Sequence, residues 1–424
     1  MVITVEIALA AGVLTSRPDA ASDRPVTAAP ASTTLDRGEE AAINALLVAR
    51  ASALLRRDKD AFLAGIDPKA TAFRERQVAV FDNLAGVPLG EWSYDARPDR
   101  ANALPEDVAR GYGARVWASE VEVRYALAGY DALPTVQQQY LTFVRRGQRW
   151  YVGNDEDLRD SGLATARNLW DFGPVVADRT PRVLVLGHPA SRPLMAELKA
   201  LADAAAPRVT AVWGSWRQRV VVLVPADADE AAALVPTAGD LRQLAAITAA
   251  ELDATGGPPL GERIVVNPGP FGKLSAFGRR VVVQHEITHV ATRAVTSDAT
   301  PYWLSEGFAD YVGYLGQDAS PTSVARELTV EVRAGKVPER LPGATEFAPD
   351  NPRLAQAYEA SWLACRLIAE RVGRQGLVRF YRAVSAGPGD SDAALDSGLR
   401  SVLGVTTEQF LALWRQYLRT QLAR

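Results

Sequence analysis

"VVVQHEITHVATRAVTSDATPYWLSEGFADYV", residues Val281 to Val312, holds two of the three histidines in a chain of 424 residues. Taken alone, "RRVVVQH" is β-branched and passes for a strand. The longer window reads as a helix, because Val283, Ile287, Val290 and Ala294 fall on one stripe and Val282, His285 and His289 on another. A helix apolar on two sides is buried on both, which suits a central active-site element. Residues four apart on a helix lie one above the other, so His285 and His289 can present two imidazoles to one point. Glu286 projects about 100° around the axis, beside that point and not into it. It is placed to hold a water bound to a metal at that point.

H-E-x-x-H also arises by chance, so a third ligand is needed to make a metal site. Catalytic zinc commonly takes three protein ligands. The candidate is Glu306 in "TPYWLSEGFADYV", about one turn into a helix started by Pro301. The sixteen residues Val290 to Ser305 allow one helix to end and a second to fold back against it. Asp310, four residues on, shares the face of Glu306 and can accept the remaining N–H of a ligating histidine. The plainer alternative makes Glu306 and Asp310 a solvated acidic face. Trp303, Leu304, Phe308 and Tyr311 around Glu306 argue against it.

"HEITH" followed by "WLSEGFADY" resembles the gluzincin metallopeptidases, and more closely their bacterial peptidase MA-like members, over roughly Pro181 to the end. The resemblance implies one zinc ion per chain bound by His285, His289 and Glu306, with Glu286 as general base and proton shuttle. The Glu-x-x-x-Asp pattern of that clan maps onto Glu306 and Asp310. Downstream, Tyr358-Glu359 reads as the opening of a helix carrying Trp362, Leu363, Leu367 and Ile368. It is similar to the segment of the aminopeptidase group whose tyrosine stabilises the oxyanion, a role this assigns to Tyr358. The alternative is a core tyrosine that only packs. Those aminopeptidases also hold the substrate amino terminus through a Gly-x-Met-Glu-Asn segment, where this chain has "GERIVVNPGPFGK" and Glu262 stands in a different context. "ERIVVNP" is expected to be the cleft-edge strand on which an extended peptide pairs. An endopeptidase acting on peptides or proteins is therefore expected. The alternatives are a catalytically silent peptide-binding surface protein and a ligand sensor working through the N-terminal region.

The expected fold class is α+β. Upstream of the zinc helix, "PRVLVLGH", "RVVVLVP" and "ERIVVNP" read as strands and "RPLMAELKALADAAAPRV" and "ADEAAALV" as helices, giving a mixed sheet. Thus 180–295 is a sheet subdomain with the active-site helix, and 296–424 a helical subdomain closed by "TTEQFLALWRQYL", with a Thr406/Gln409 capping box. His188 ends the first strand alone and is expected to be structural. Residues 35–158 form another unit. Helices at "EEAAINALLVARASALLRRD" and "FRERQVAVFDNLAGV" precede antiparallel strands at "ARVWASEVEVRYAL", "VQQQYLTFVRR" and "QRWYVGN". By pattern alone this resembles the cone-shaped nuclear-transport-factor-like fold, and it is expected to be an accessory domain.

A formal net charge of −3 and the lack of a long basic run exclude an electrostatic footprint for nucleic acid. The single cysteine, Cys365, cannot form an internal disulfide and reads as a core thiol. Residues 1–34 combine an apolar stretch, Val2 to Thr15, with an Ala/Pro/Ser/Thr-rich linker. They are expected to be an export signal and linker, placing the protein outside the cytoplasm, at or near a cell surface; a disordered cytoplasmic tail is the alternative. No motif sets an oligomeric state.

Overall fold

The computed structural model describes residues 34–235, 244–251, 260–317, 319–348, 350–387 and 389–423. The signal-like stretch, up to residue 33, lies outside them. The architecture is mixed α+β, with two sheets followed by a lobe of helices.

The first unit packs α1 (Arg37–Leu55), α2 (Lys59–Leu63) and α3 (Thr71–Asn83) against an antiparallel meander. Its strands are β1 (Leu89–Asn102), β2 (Val116–Leu127), β3 (Thr135–Arg146) and β4 (Arg149–Asn154), with α4 (Glu106–Gly111) between the first two. Asp36 starts α1 with a reciprocal capping box to Glu39, and Ile43, Leu47 and Leu54 enter the core while Leu55 is exposed. β1 is not legible in the sequence. Its run "LGEWSYDARPDRAN" contains a proline and several charges, and it slips register between Ala96 and Ala101, so no period of two survives.

The second unit contains α5 (Leu169–Phe172), β5 (Val176–Arg179), β6 (Val183–Gly187), α6 (Arg192–Trp213), β7 (Val220–Val224), α7 (Ala228–Leu234), β8 (Ala246–Glu251) and β9 (Leu260–Val266). The strands lie in the order β5-β6-β7-β9-β8, parallel in the middle and antiparallel at both edges. One expectation is corrected here. "ERIVVNP" is β9, flanked by β7 and β8, and among the described residues the edge strand, packed against the helix that carries His285 and His289, is β8, "AITAAE". β8 escapes notice because its alanines carry little β signal.

Both faces of this sheet are covered, which is why β6 and β7 read as unbroken apolar runs. Val183, Val185, Val220, Val222 and Val224 pack toward α6 and α9 (Ala276–Thr292), which follows α8 (Pro268–Lys273). Leu184, Leu186 and Val221 belong instead to the core of the first unit, with Trp170 and Val175. The helical lobe comprises α10 (Tyr302–Gly313), α11 (Pro321–Val324), α12 (Arg326–Arg333), α13 (Leu354–Val372), α14 (Arg374–Ser385), α15 (Ser391–Leu403) and α16 (Thr407–Leu422). Thr406 and Gln409 form the expected capping box, and Phe410, Trp414, Tyr417 and Leu418 are buried. α13 begins at Leu354, one turn earlier than the sequence suggests, so Tyr358 lies inside it. No helix among the described residues is long and apolar enough to cross a membrane.

Candidate metal centre

α9 begins where the Ser275 hydroxyl accepts the Gly278 N–H at 3.1 Å, and every residue from Val281 to His289 is buried. Tertiary burial on all sides overrides the strand preference of its valines. α10 lies against it so closely that a Cβ on Gly313 would sit 3.2 Å from the Val281 carbonyl oxygen. α13 crosses α10 at Gly307, where a Cβ would lie 2.4 Å from the Ser361 carbonyl oxygen. These two approaches put α9, α10 and α13 around one point.

At that point the His285 and His289 Nε2 atoms are 2.9 Å apart, and Glu306 Oε2 is 3.3 Å from the first and 3.5 Å from the second. All three side chains are buried. Bonds of about 2.0–2.2 Å arranged tetrahedrally around zinc would separate ligand atoms by roughly 3.4 Å, close to this spacing. Neither Glu306 oxygen makes a hydrogen bond, an expensive state for a buried carboxylate unless a cation satisfies it. The donor set therefore fits a zinc ion. His285 Nδ1 is 2.8 Å from Asp310 Oδ1, so its N–H donates to the carboxylate and Nε2 keeps its lone pair toward the centre.

The electrostatics tell the same story. Burial alone would lower the His285 pKa, but the hydrogen bond and charge of Asp310, with help from Glu306, raise it to about 10. Burial would raise Glu306, but the His289 charge and the closeness of both imidazoles pull it down to about 2. The cluster demands positive charge at its middle, as protons or as a metal ion.

Glu286 is fully buried and is not one of the three donors. Its Oε2 accepts a hydrogen bond from Thr248 Oγ1 of β8 at 2.5 Å, while Oε1 has no partner. Burial raises its pKa, and the charges of His285 and His289 and the Thr248 bond restrain the rise. Such a carboxylate holds a proton more readily than one in water, as a shuttle requires. Tyr358 is 4% exposed, and its ring centre lies 6.4 Å from that of His285. Its hydroxyl makes no hydrogen bond of good geometry. Burial first, then the charges of Glu306, Asp310 and Glu286, hold the phenol in its protonated form.

The structure thus gathers His285, His289, Glu306, Asp310, Glu286 and Tyr358 at one place. It keeps His188 away, between the Pro174 carbonyl oxygen at 2.9 Å and Glu230 at 2.7 Å, in a structural tie. Cys365 is a buried core thiol. Two neighbours escaped the sequence reading, Thr248 and Arg293, whose Nη2 donates to the Thr248 carbonyl oxygen at 3.2 Å. Only the pairing of β8 could have revealed them. Beyond Glu306 opens a cavity of about 630 Å³, walled in part by Pro301, Tyr302, Trp303, Leu341, Leu395 and Leu411.

No protein-family model matches the chain, and no curated protein matches it. Among solved structures it is similar to a two-domain M1 zinc metallopeptidase mutant bound to L-arginine, with 14% identity over 64% of this chain and 58% of that one, at a TM-score of 0.35. It is also similar to an M1 zinc metallopeptidase mutant from Deinococcus radiodurans, at 15% identity, covering 72% of this chain and 61% of that one, with a TM-score of 0.33. A third is a mutant of the Deinococcus radiodurans M1 enzyme bound to a Tyr-Ser-Ala substrate, at 15% identity, covering 76% and 60%, with a TM-score of 0.33. The chain spans about six-tenths of the length of these proteins. A likeness at that level decides neither fold nor activity.

Proposed function

We propose that the protein is a zinc-dependent peptidase of gluzincin type that hydrolyses peptide bonds within extended peptides or proteins. The observation that carries this reading is the convergence of His285, His289 and Glu306 on one buried point, with the unpartnered Oε1 of Glu286 on a neighbouring face of the same helix.

His285, His289 and Glu306 would hold the ion, and Asp310 orients His285. Zinc bound there supplies Lewis acidity, polarising the scissile carbonyl and lowering the pKa of water toward 7. Glu286 takes the proton of the attacking water on Oε1, while Thr248 steadies the other oxygen, and then delivers it to the leaving amine. Tyr358, protonated at any physiological pH, donates its O–H to the oxyanion that develops on the carbonyl.

The edge position of β8 supports action on extended chains, since its outer side is the place where a substrate strand can pair. The 630 Å³ cavity beside Glu306 has room for a large apolar side chain of the substrate. The pocket among Trp92, Gln139 and Asp171 in the N-terminal unit holds about 30 Å³, far below the several hundred Å³ usual for a small-molecule site. That gives the ligand-sensor reading little space. We place the protein outside the cytoplasm on the composition of residues 1–34.

The test is zinc analysis of the purified protein together with peptide profiling, with and without a chelator. Zinc near one per chain and chelator-sensitive cleavage inside peptides are expected. Zinc without any cleavage would favour a silent peptide-binding protein, and removal of single N-terminal residues would replace the endopeptidase reading with an aminopeptidase one.

A further inference from the structure

The turn joining β2 to β3 in the N-terminal unit is seated on the second sheet by three separate contacts. The Tyr130 hydroxyl donates to the Thr180 carbonyl oxygen at 2.6 Å, and Arg219 Nε donates to the Gly129 carbonyl oxygen at 3.1 Å. The third is an ion pair. Arg263 of β9 donates both terminal nitrogens to Asp131, at 2.7 and 2.8 Å, and one of them also to Thr135 Oγ1 at 3.1 Å. Both partners are almost fully enclosed, with side-chain exposures of 8% and 5%. The Leu127 N–H fixes the Asp131 carboxylate from behind at 2.8 Å. Gly261 has φ +61° and no room for a side chain, since a Cβ would lie 2.1 Å from Thr135 Oγ1. Only glycine allows β9 this approach.

The grip falls on the strand that carries β8. Arg263 is paired with Ala249, and Ile264 with Thr248. Thr248 holds Glu286 through its hydroxyl and Arg293 through its carbonyl oxygen. Arg293 Nε in turn lies 3.5 Å from the carboxylate of Glu262, the residue next to Arg263. Asp131 is thus hydrogen-bonded to Arg263, and Arg293 to Thr248, which holds Glu286; between the two sets lies the looser charge contact of Arg293 with Glu262, at 3.5 Å and without a hydrogen bond. A bidentate buried pair holds its strand with little freedom of angle or register.

We propose that the Asp131–Arg263 pair is a positioning device, by which the N-terminal unit sets the edge strand β8 against the active-site helix. The N-terminal unit is then a working part of the cleft. The kinetic half of this inference rests on the peptidase reading; the placement of β8 does not.

The experiment uses the full chain loaded with zinc, in the parent and in Asp131→Asn, with Thr135→Val as a milder variant that keeps the ion pair. Backbone amide exchange is followed in β8, with β6 and β7 as internal references. Expected is faster exchange confined to β8 and its neighbour β9, larger in Asp131→Asn than in Thr135→Val. Kinetically, kcat/KM for a peptide of about ten residues should fall at least roughly tenfold, mainly through KM, as expected when a positioning contact is lost. A blocked dipeptide, too short to pair along β8, should keep its KM. Unchanged exchange in β8 of a folded, zinc-loaded Asp131→Asn overturns the proposal, and so does an equal loss on both substrates. If Asp131→Asn does not fold, Thr135→Val decides by the same two readouts. A parent protein that binds zinc but cleaves neither substrate would defeat the peptidase reading, and the exchange pattern would still decide the placement of β8.

Discussion

Each residue at the centre has a separable duty. Glu286→Gln keeps the shape of the side chain and removes none of the three donors. It should retain zinc and lose turnover by about 10²-fold or more, the range lost with a general base. Parent-like kcat in a zinc-loaded sample would remove Glu286 as the base. His285→Ala, His289→Ala and Glu306→Ala should each abolish stoichiometric zinc, because each takes one of three donors from a closed site. Elemental analysis reads this directly, and a full complement of zinc in all three would end the assignment. Tyr358→Phe removes an O–H that packs without a good partner. It should lower kcat roughly 10²- to 10³-fold with little change in KM or thermal stability, as for other oxyanion donors. A fall under about threefold would make Tyr358 a packing residue, given the size such donors usually have.

Elements meet at the centre only because two glycines let them. Gly307 faces the Ser361 carbonyl carbon and oxygen, which a Cβ would approach to 2.6 and 2.4 Å. Neither backbone can swing aside as a side chain would. Gly307→Ala should therefore cost about 1–3 kcal/mol, the usual range for overpacking, and because Glu306 is its neighbour it should also weaken zinc. A melting temperature and a zinc affinity equal to the parent's would show that α10 and α13 have slack. The gathering of these side chains was legible from spacing: the steps of four from His285 to His289 and from Glu306 to Asp310 are local helical geometry, and the sixteen residues between His289 and Glu306 leave room for the chain to turn back. The strand on the other side of Glu286 was not. Thr248 reaches it through pairing of β8 with β9, and an alanine-rich run with neither alternation nor branching gives no sign of where it pairs. β9, strongly branched, drew the edge assignment that belongs to β8.

At the scale of the whole molecule the two sheets do not stand apart. Leu184, Leu186 and Val221 leave the second sheet for the core of the first unit, a contribution of roughly 1.5–3 kcal/mol for each full burial. A fragment of residues 175–424 should accordingly bind a hydrophobic dye and melt well below the full chain; a fragment as stable as the parent would show that these contacts count for little. Cys365 adds a consequence of another kind. The chain's one thiol is fully enclosed on α13, and burial together with the nearby Asp310 charge pushes its pKa well up. An aromatic disulfide reagent can reach it only when the helical lobe opens. Its reaction is therefore a built-in clock for that opening, one colour change per molecule, and chelation of the metal should make the clock run faster.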